Sequence, residues 1–522
     1  MALRLPERHQ AILFPPSVEE MVGNDAPVRV YDAVIDGMDL FELGILVDHN
    51  KVGSPEYDPR SMLKLLVYGC SYGIRSSRKL ERATHNNISF IWLMGGLKPD
   101  HKTIAEFRRK NEEALSKVLS EVARLCLHLG LIEGNTLFVD GSKIRANASI
   151  DNSWSTERCQ RKLKKIDKRI AEIIAECEAA DELEDACGSF VKVSDELADQ
   201  ESLKAKVQSI LADIQQQQRP SVNTTDNDCT KTHSRQGNHA GYNGQSVVDE
   251  KHGLIVSCDV VNESNDIHQF ANQIDKANKV LDKKCKTACG DAGYSNIDDL
   301  EKIADQNIEV IVPSQRQASG GEPKAFDVRN FTYDRENDSY ICPKGNVLPY
   351  KNTEHKKKRK VYLAGKVACC ECEHFGKCTT NRLHGRKVTR HLKEDSRQEF
   401  ERRYMQDKNQ EIYKLRKQKV ELPFGHIKYN LGVSGFLLRG LAGVKAEFSI
   451  MTSCFNITRM IRLLGSEKLI ETLKAVAILT NNAGLSNETA TQKQIYAKNT
   501  LQALRYEEIR QKNIPPQILV AA

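Results

Sequence analysis

From Asp58 onwards apolar residues fall at helical spacing, first in DPRSMLKLLVYGCSYGI and again in SSRKLERATHNNISFIWLMGG. A third helix is predicted to open at PDHKTIAEF, where Thr103 and Glu106 fit a capping box. It continues through Ile104, Phe107, Leu115, Val118, Val122 and Leu125. The first 45 residues give mixed signals. TLFVDGSKIRANAS then alternates and is rich in β-branched residues, which predicts a strand interrupted at Asp140-Gly141. Residues 156–218 return to helical spacing, charged throughout and ending in QQQQ, and read as an antiparallel helical hairpin inserted into something else. SVNTTDNDCTKTHSRQGN reads as a linker.

Beyond it the β pattern resumes. GYNGQSVVDEKHGLIVSCDVV predicts two strands around a turn at Asp249–Gly253, and DIHQFANQIDKANKVLD a helix. KTACGDAGYS predicts a short strand, NIDDLEKIADQN a second helix and IEVIVPS a further strand. A hairpin followed by alternating helix and strand implies a mixed α/β sheet with a right-handed crossover, an order that matches the ribonuclease H-like fold.

Two acids stand where this reading ends a strand. Asp140 closes LFVD and Asp291 closes TACGD, positions from which carboxylates reach a shared site at a sheet edge. Either one alone is also an ordinary turn former. A third acid, Glu421, lies in the basic segment YKLRKQKVELPFGHIKYNLG, and a helix there brings Tyr413, Arg416, Lys417 and Glu421 near one face. Three carboxylates held together repel one another at neutral pH, and a pair of Mg²⁺ ions relieves that repulsion. Two such ions, roughly 3.5–4 Å apart, stabilise the attacking and leaving oxygens of a phosphoryl displacement. Asp266 in NESNDIHQ is read as a helix N-cap, with a metal-site role as the alternative.

Cys342, Cys369, Cys370, Cys372 and Cys378 crowd a polar, Lys-rich stretch. Cys342, Cys369, Cys372 and Cys378 supply the four soft ligands of a structural Zn²⁺ site, with Cys370 able to replace Cys369. So few apolar residues surround them that the segment is expected to need the metal to fold.

The chain has 522 residues, 40% hydrophobic and 28% charged, which implies several folding units and excludes wholesale disorder. Mean hydropathy is −0.51 and no long apolar run occurs, so no membrane span is expected. The opening MALRLPERHQAILFPP lacks an apolar export stretch, and 15 cysteines, an odd number, point to reduced thiols and a cytoplasmic setting. The net charge of +7 hides two basic blocks. Residues 60–110 hold 11 Lys and Arg against 3 Asp and Glu, and residues 351–420 hold 21 against 9. Two such blocks on an otherwise acidic chain suit a protein that grips a polyanion at two places. In the first, short helices bearing Arg75, Arg78, Lys79, Arg82, Arg108 and Arg109 fit a helix-turn-helix-like DNA reader, and equally a plain helical bundle.

FVDGSKIRANAS, CGDAGYSN, VELPFGHIKYNLG and FLLRGLAGVKAEFSIMTSCFNITRMIRL resemble the DDE transposases of bacterial insertion sequences, in the group with a cysteine cluster before the final Glu. SYGIRSSRKLERATHNNISFIWLMGGLKPDHKTIAEFRRKN resembles that group's N-terminal domain. The resemblance implies an α/β fold: an RNase H-like mixed sheet with a helical insertion, an N-terminal helical DNA-binding domain and a small zinc-binding insertion. The expected boundaries are 1–130 for the N-terminal domain, 131–155, 219–335 and 396–466 for the core, 156–218 for the hairpin, 336–395 for the zinc insertion and 467–522 for a helical tail. It implies Asp140, Asp291 and Glu421 as a catalytic triad binding two Mg²⁺ or Mn²⁺ ions. Some relatives carry a Tyr-Arg-Glu-Lys signature, which Tyr413, Arg416, Glu421 and Lys428 resemble with one extra residue between Arg416 and Glu421. Lys143, Arg145, Tyr413, Arg416, Lys428 and Arg439 are the expected DNA contacts, with a structural role open for Arg439 and for Asn456.

The implied activity is cleavage and strand transfer at terminal inverted repeats. Its partners are double-stranded transposon ends and target DNA, its form a homodimer on paired ends, nucleoid-associated when bound. A catalytically inactive zinc-containing DNA-binding relative and a stand-alone RNase H-like nuclease are the competing readings. All three acids are present, which argues against the first. Two basic modules and a long hairpin exceed what simple hydrolysis needs, which argues against the second.

Overall fold

In the computed structural model the described residues are 17–46, 56–181, 190–234, 237–320 and 325–480. Of the helical tail expected at 467–522, the part after residue 480 lies outside them. The chain opens on helices α1 (Pro27–Asp36), α2 (Leu40–Leu43), α3 (Pro59–Ser71), α4 (Ser77–Asn86), α5 (Ile88–Leu93), α6 (His101–Lys110) and α7 (Glu112–His128). Helix α3 begins where Asp58 accepts from the Ser61 amide at 2.8 Å and Pro59 occupies the first turn. The capping box expected at Thr103 and Glu106 is not formed. Asp100 caps α6 one turn earlier, accepting from Thr103 N at 2.6 Å, and Glu106 pairs with Arg109 instead. The single long helix read from the apolar spacing is two, split at Asn111, whose side chain donates to the Phe107 carbonyl at 2.8 Å.

Strand β1 (Thr136–Arg145) follows, then β2 (Ser153–Ser155), α8 (Thr156–Asp181), α9 (Phe190–Gln217), β3 (Ser221–Asn223), β4 (Thr230–Ser234), β5 (Gly237–Asp249) and β6 (Ile255–Val261). The insertion is the expected helical hairpin. Cys159 and Ile166 of α8 pack on Ile214 and Val207 of α9, and Asp167 pairs with Lys204 at 2.8 Å. The expected linker is not one: it supplies β3, paired with β2, and β4, paired with β5. Its polar residues close the base of the hairpin, as when Asn223 donates to the Ser149 carbonyl and Ser153 Oγ at 2.8 and 2.9 Å.

Next come α10 (Phe270–Leu281), β7 (Thr287–Cys289), α11 (Ile297–Ala304), β8 (Glu309–Ile311) and α12 (Gln315–Ala318). Strands β9 (Thr332–Asp334), β10 (Ser339–Ile341), β11 (Val347–Glu354) and β12 (Arg359–Leu363), helix α13 (Lys366–Cys370) and β13 (Lys387–His391) form the cysteine-rich part. The chain ends on α14 (Glu394–Tyr404), α15 (Asp407–Gly425), α16 (Leu441–Leu464) and α17 (Ser466–Thr480).

These elements divide into two compact units. One comprises residues 1–265, 275–284 and 418–522, the other 266–274 and 285–417. In the first, β5 pairs antiparallel with β1 and β6, so Leu137 faces Asp249 and Arg145 faces Gly241. Helix α16 is the hub, with Val444, Phe448, Met451, Cys454 and Ile457 all buried. Tyr31 of α1 reaches Thr458 at 3.2 Å and the Leu119 amide donates to Ser449 Oγ at 3.1 Å. In the second unit β7 and β8 run parallel, and β9 to β13 form an antiparallel sheet in the order β13-β12-β11-β10-β9. The chain is therefore mixed α/β, as expected.

Asp259 on β6 is 7% exposed and holds the ammonium groups of Lys276 and, at 3.0 Å, Lys445. Burial alone pushes its carboxyl up, but Lys276 and Lys445 outweigh it and hold the group below the usual carboxylate range. The stability it contributes is present above the unfolded value of about 3.9 and is lost as pH falls through the lowered native value. Asp259→Asn is expected to cost about 1–3 kcal/mol at neutral pH and to flatten the acid limb of a stability–pH curve. An unchanged acid limb in urea titrations would contradict this.

Candidate active site and cysteine-lined cavity

Asp140 does not end a strand. Strand β1 runs unbroken through Asp140-Gly141, with Asp140 opposite Ser246 and Gly141 opposite Gln245. The long antiparallel ladder outweighs the turn preference of Asp-Gly, and the acid is carried mid-strand. Alternation puts Asp140, Ser142 and Ile144 on one face. Lys428 Nζ donates to Ser142 Oγ at 2.7 Å, so the chain just after Glu421 lies over Asp140's face of the sheet.

Asp291, in the second unit, does follow its strand. It opens a short 3₁₀ turn at Ala292–Tyr294, accepting from the Gly293 amide at 2.8 Å. Arg416 Nη2 reaches its other oxygen at 3.3 Å. A Cβ on Gly293 would lie 2.8 Å from Asp291 Oδ1 and 3.8 Å from Asp266 Oδ2, so the glycine keeps open the space beside two carboxylates. Asp266 is not the N-cap of α10, which begins at Phe270; its carbonyl accepts from the Gln269 amide in the turn before.

Glu421 is exposed on α15, a helix that carries Pro423 and passes into a π-helical turn at His426–Asn430. Pro423 has no amide to give the ladder, and π turns of this kind recur at functional sites. A cavity of about 380 Å³ adjoins Glu421, lined by His426, Tyr429, Arg459 and Arg462 among others. Burial, and then the nearby Arg462, hold the His426 ring below its usual pKa.

The expected DNA contacts divide. Arg145 and Lys428 are exposed, whereas the Lys143 ammonium is buried. Arg416 is 11% exposed and turned onto Asp291, and half-buried Tyr413 packs edge-on against Tyr404 at 5.1 Å. Arg439 is exposed and donates to the Asn147 carbonyl at 3.0 Å. Asn456 is wholly buried and clamps Ile255 through both backbone groups at 2.9 and 2.8 Å. In the N-terminal block Arg75 is buried on Glu447, half-buried Arg108 reaches Ser77 Oγ, and Arg109 pairs with Glu106. Arg78, Lys79 and Arg82 are exposed. The ion pair of Arg416 with Asp291 escaped the sequence reading, because nothing local joins residues that far apart.

Cys342, Cys369, Cys372 and Cys378 line one small cavity together with His374. Backbone amides point at two of the sulfurs, Lys344 N at 3.4 Å from Cys342 Sγ and Arg386 N at 3.3 Å from Cys369 Sγ. Burial pushes the Cys378 thiol up; Arg386 opposes this, and Cys369, Cys342 and Cys372 push it further up. Cys370 is exposed and directed at the Arg382 carbonyl, whereas Cys369 is buried. Among the described residues, no three His, Cys, Asp or Glu side chains are gathered closely enough to hold a metal ion, at the cysteines or at the acids. No helix among them is long and apolar enough to cross a membrane.

Two family models match the chain, a transposase domain (DUF772) over residues 16–110 and a transposase DDE domain over residues 341–461. No curated protein matches. Among solved structures the chain is similar to a piggyBac transposase synaptic complex with hairpin DNA, at 8% identity and a TM-score of 0.29, covering 94% of this chain and 83% of that one.

Proposed function

From the premise that this chain is a DDE transposase by its two family domains, we propose that it cleaves DNA at the terminal inverted repeats of an insertion sequence and joins the ends to target DNA. The observation that carries the reading is the segment from Glu421 to Lys428. It lies inside the matched DDE domain, and its lysine reaches the face of β1 that bears Asp140. Strands β1, β5 and β6, followed along the chain by α10, β7, α11 and β8 in alternation, support an RNase H-like core.

Asp140, Asp291 and Glu421 offer the hard carboxylate oxygens that Mg²⁺ or Mn²⁺ prefers, and Asp291 already attracts a guanidinium cation. They would hold two ions, which when bound activate the attacking oxygen and neutralise the leaving one. The chain's own residues do the rest. Arg459 and Arg462 place positive charge in the cavity beside Glu421, and Lys428 places it over the Asp140 face of β1, where they hold the phosphate backbone in register. Arg416 orients the Asp291 carboxylate and balances its charge until DNA enters. The working form in this reading is a homodimer on paired ends. Purified protein should cut a plasmid carrying the gene and its flanking DNA in Mg²⁺ but not in EDTA. Tight end binding with no cutting in any metal would mean an inactive DNA-binding relative. Hydrolysis without strand joining would mean a nuclease.

The cysteine cavity supports a structural zinc site held by Cys342, Cys369, Cys372 and Cys378. Four thiols lining one cavity, with backbone N–H donors beside Cys342 and Cys369 and a core of only a few buried side chains, are a setting in which a metal that draws the sulfurs together would supply folding energy. The protein is expected to purify with stoichiometric zinc, with Cys369→Ser losing it and Cys370→Ser keeping it. Equal zinc in both variants, by elemental analysis, would reject this ligand set.

A further inference from the structure

A cleft of about 490 Å³ lies wholly within the second unit, and none of the three catalytic candidates lines it. One wall is the turn that follows Asp291, continuing into α11. Gln315, which also lines the cleft, donates to the Ala292 carbonyl at 2.5 Å, so the cleft starts at the turn that presents Asp291. The other wall is the tip of the β11–β12 hairpin, where Lys356, Lys357 and Lys358 follow one another.

The charges do not cancel. Asp298 is taken up by Lys358 and, at 2.6 Å, by Lys393, which hold its carboxyl down to about 2. Glu401 faces Arg397 at 3.7 Å. Among the described residues Lys357 pairs with Glu354 alone, at 3.8 Å, and stays 67% exposed. Lys356 and Arg316 are exposed and make no ion pair among the described residues. Lys358 closes the hairpin tip in the left-handed region, at φ 47°, where glycine or asparagine is the easier choice. Between the cations the wall is apolar, formed by Ile297, Leu300 and Phe400.

Surplus cations on exposed arms around an apolar wall suit a ligand that is both anionic and flat-faced, and the volume is that of a small-ligand site. We propose that this cleft binds a DNA strand as it leaves the Asp291 turn. Lys356, Lys357 and Arg316 hold consecutive phosphates, and a base lies against Ile297, Leu300 and Phe400. The inference rests on the transposase reading and extends it, because the strand that reaches Asp291 has this cleft as its next contact.

The test is fluorescence anisotropy of the full chain with a labelled single strand and with a duplex of the gene's flanking DNA, across a salt series. Replacing Lys356 and Arg316 with alanine removes two exposed cations without touching the core. The plot of log affinity against log salt should then become shallower by about 1.4–1.8, with affinity at 0.1 M salt down by roughly tenfold or more. Lys356→Arg should keep the wild-type slope. An unchanged slope and affinity in the double alanine variant would overturn the proposal. So would binding of inorganic phosphate or a mononucleotide with no competition from the oligonucleotide, which would make the cleft a free-anion site. Failure of the transposase reading looks different: the plasmid stays uncut while strand binding remains sensitive to Lys356 and Arg316.

Discussion

Glu421→Gln is expected to lower metal-dependent cleavage by about 10³-fold or more while leaving DNA binding intact. The substitution keeps the shape of the side chain and removes its charge and one metal-binding oxygen. Glu421 is exposed on α15 and helps no hydrophobic core, so stability should stay within about 0.5 kcal/mol of the parent. Single-turnover cleavage and end binding, measured on the same preparation, separate the two effects. Loss of cleavage with binding retained places Glu421 at the reacting phosphate. Cleavage within about threefold of the parent would remove Glu421 from the site, because a metal-holding carboxylate is not dispensable in an in-line displacement.

Glu447→Gln should produce the largest loss of stability. Glu447 is 8% exposed and pairs with Arg75, 12% exposed, at 2.6 Å. Its Oε2 also accepts from the Leu437 and Leu438 amides at 2.9 and 3.0 Å, while Arg75 donates to the Gly435 carbonyl at 2.9 Å. One carboxylate thus ties the turn after α3 to the segment between the π turn and α16. Breaking a buried pair by neutralising one partner leaves the other charge uncompensated, at a cost of about 3–5 kcal/mol. For a unit of this size that is a fall in Tm of roughly 4–6 °C, readable by calorimetry. A Tm within about 1 °C of the parent would show that water reaches Arg75. Replacing both partners with apolar residues of similar volume should recover much of the loss.

Periodicity was a good guide wherever an element is stabilised by its own repeating pattern. The helical hairpin, the pair of strands around the Asp249–Gly253 turn, α11 and the strand of IEVIVPS are all present. It failed where a local preference competes with a distant partner. Asp140-Gly141 looks like a turn, yet β5 pairs straight across it. The polar linker looks structureless, yet it closes the base of the hairpin as β3 and β4. Thr103 and Glu106 have the spacing of a capping box, but Asp100 takes the helix end first.

The candidate site divides along the same line. Residue type and order mark Asp140, Asp291, Glu421 and Lys428 as the candidates, because carboxylates and a lysine in those motifs are the groups that phosphoryl-transfer chemistry would use. The four cysteines are candidates read in the same way, as thiols crowded on a polar segment. Which cysteine turns inward, Cys369 or Cys370, depends on the phase of one helical turn in α13 and was visible only in the fold. That Arg416 lies on Asp291, that Arg75 is spent on Glu447, and that a basic cleft opens beside the Asp291 turn were likewise decided by tertiary structure. A sequence determines which groups a chain owns and which local elements they favour; which charge meets which carboxylate depends on burial and long-range pairing, and those are properties of the packed chain.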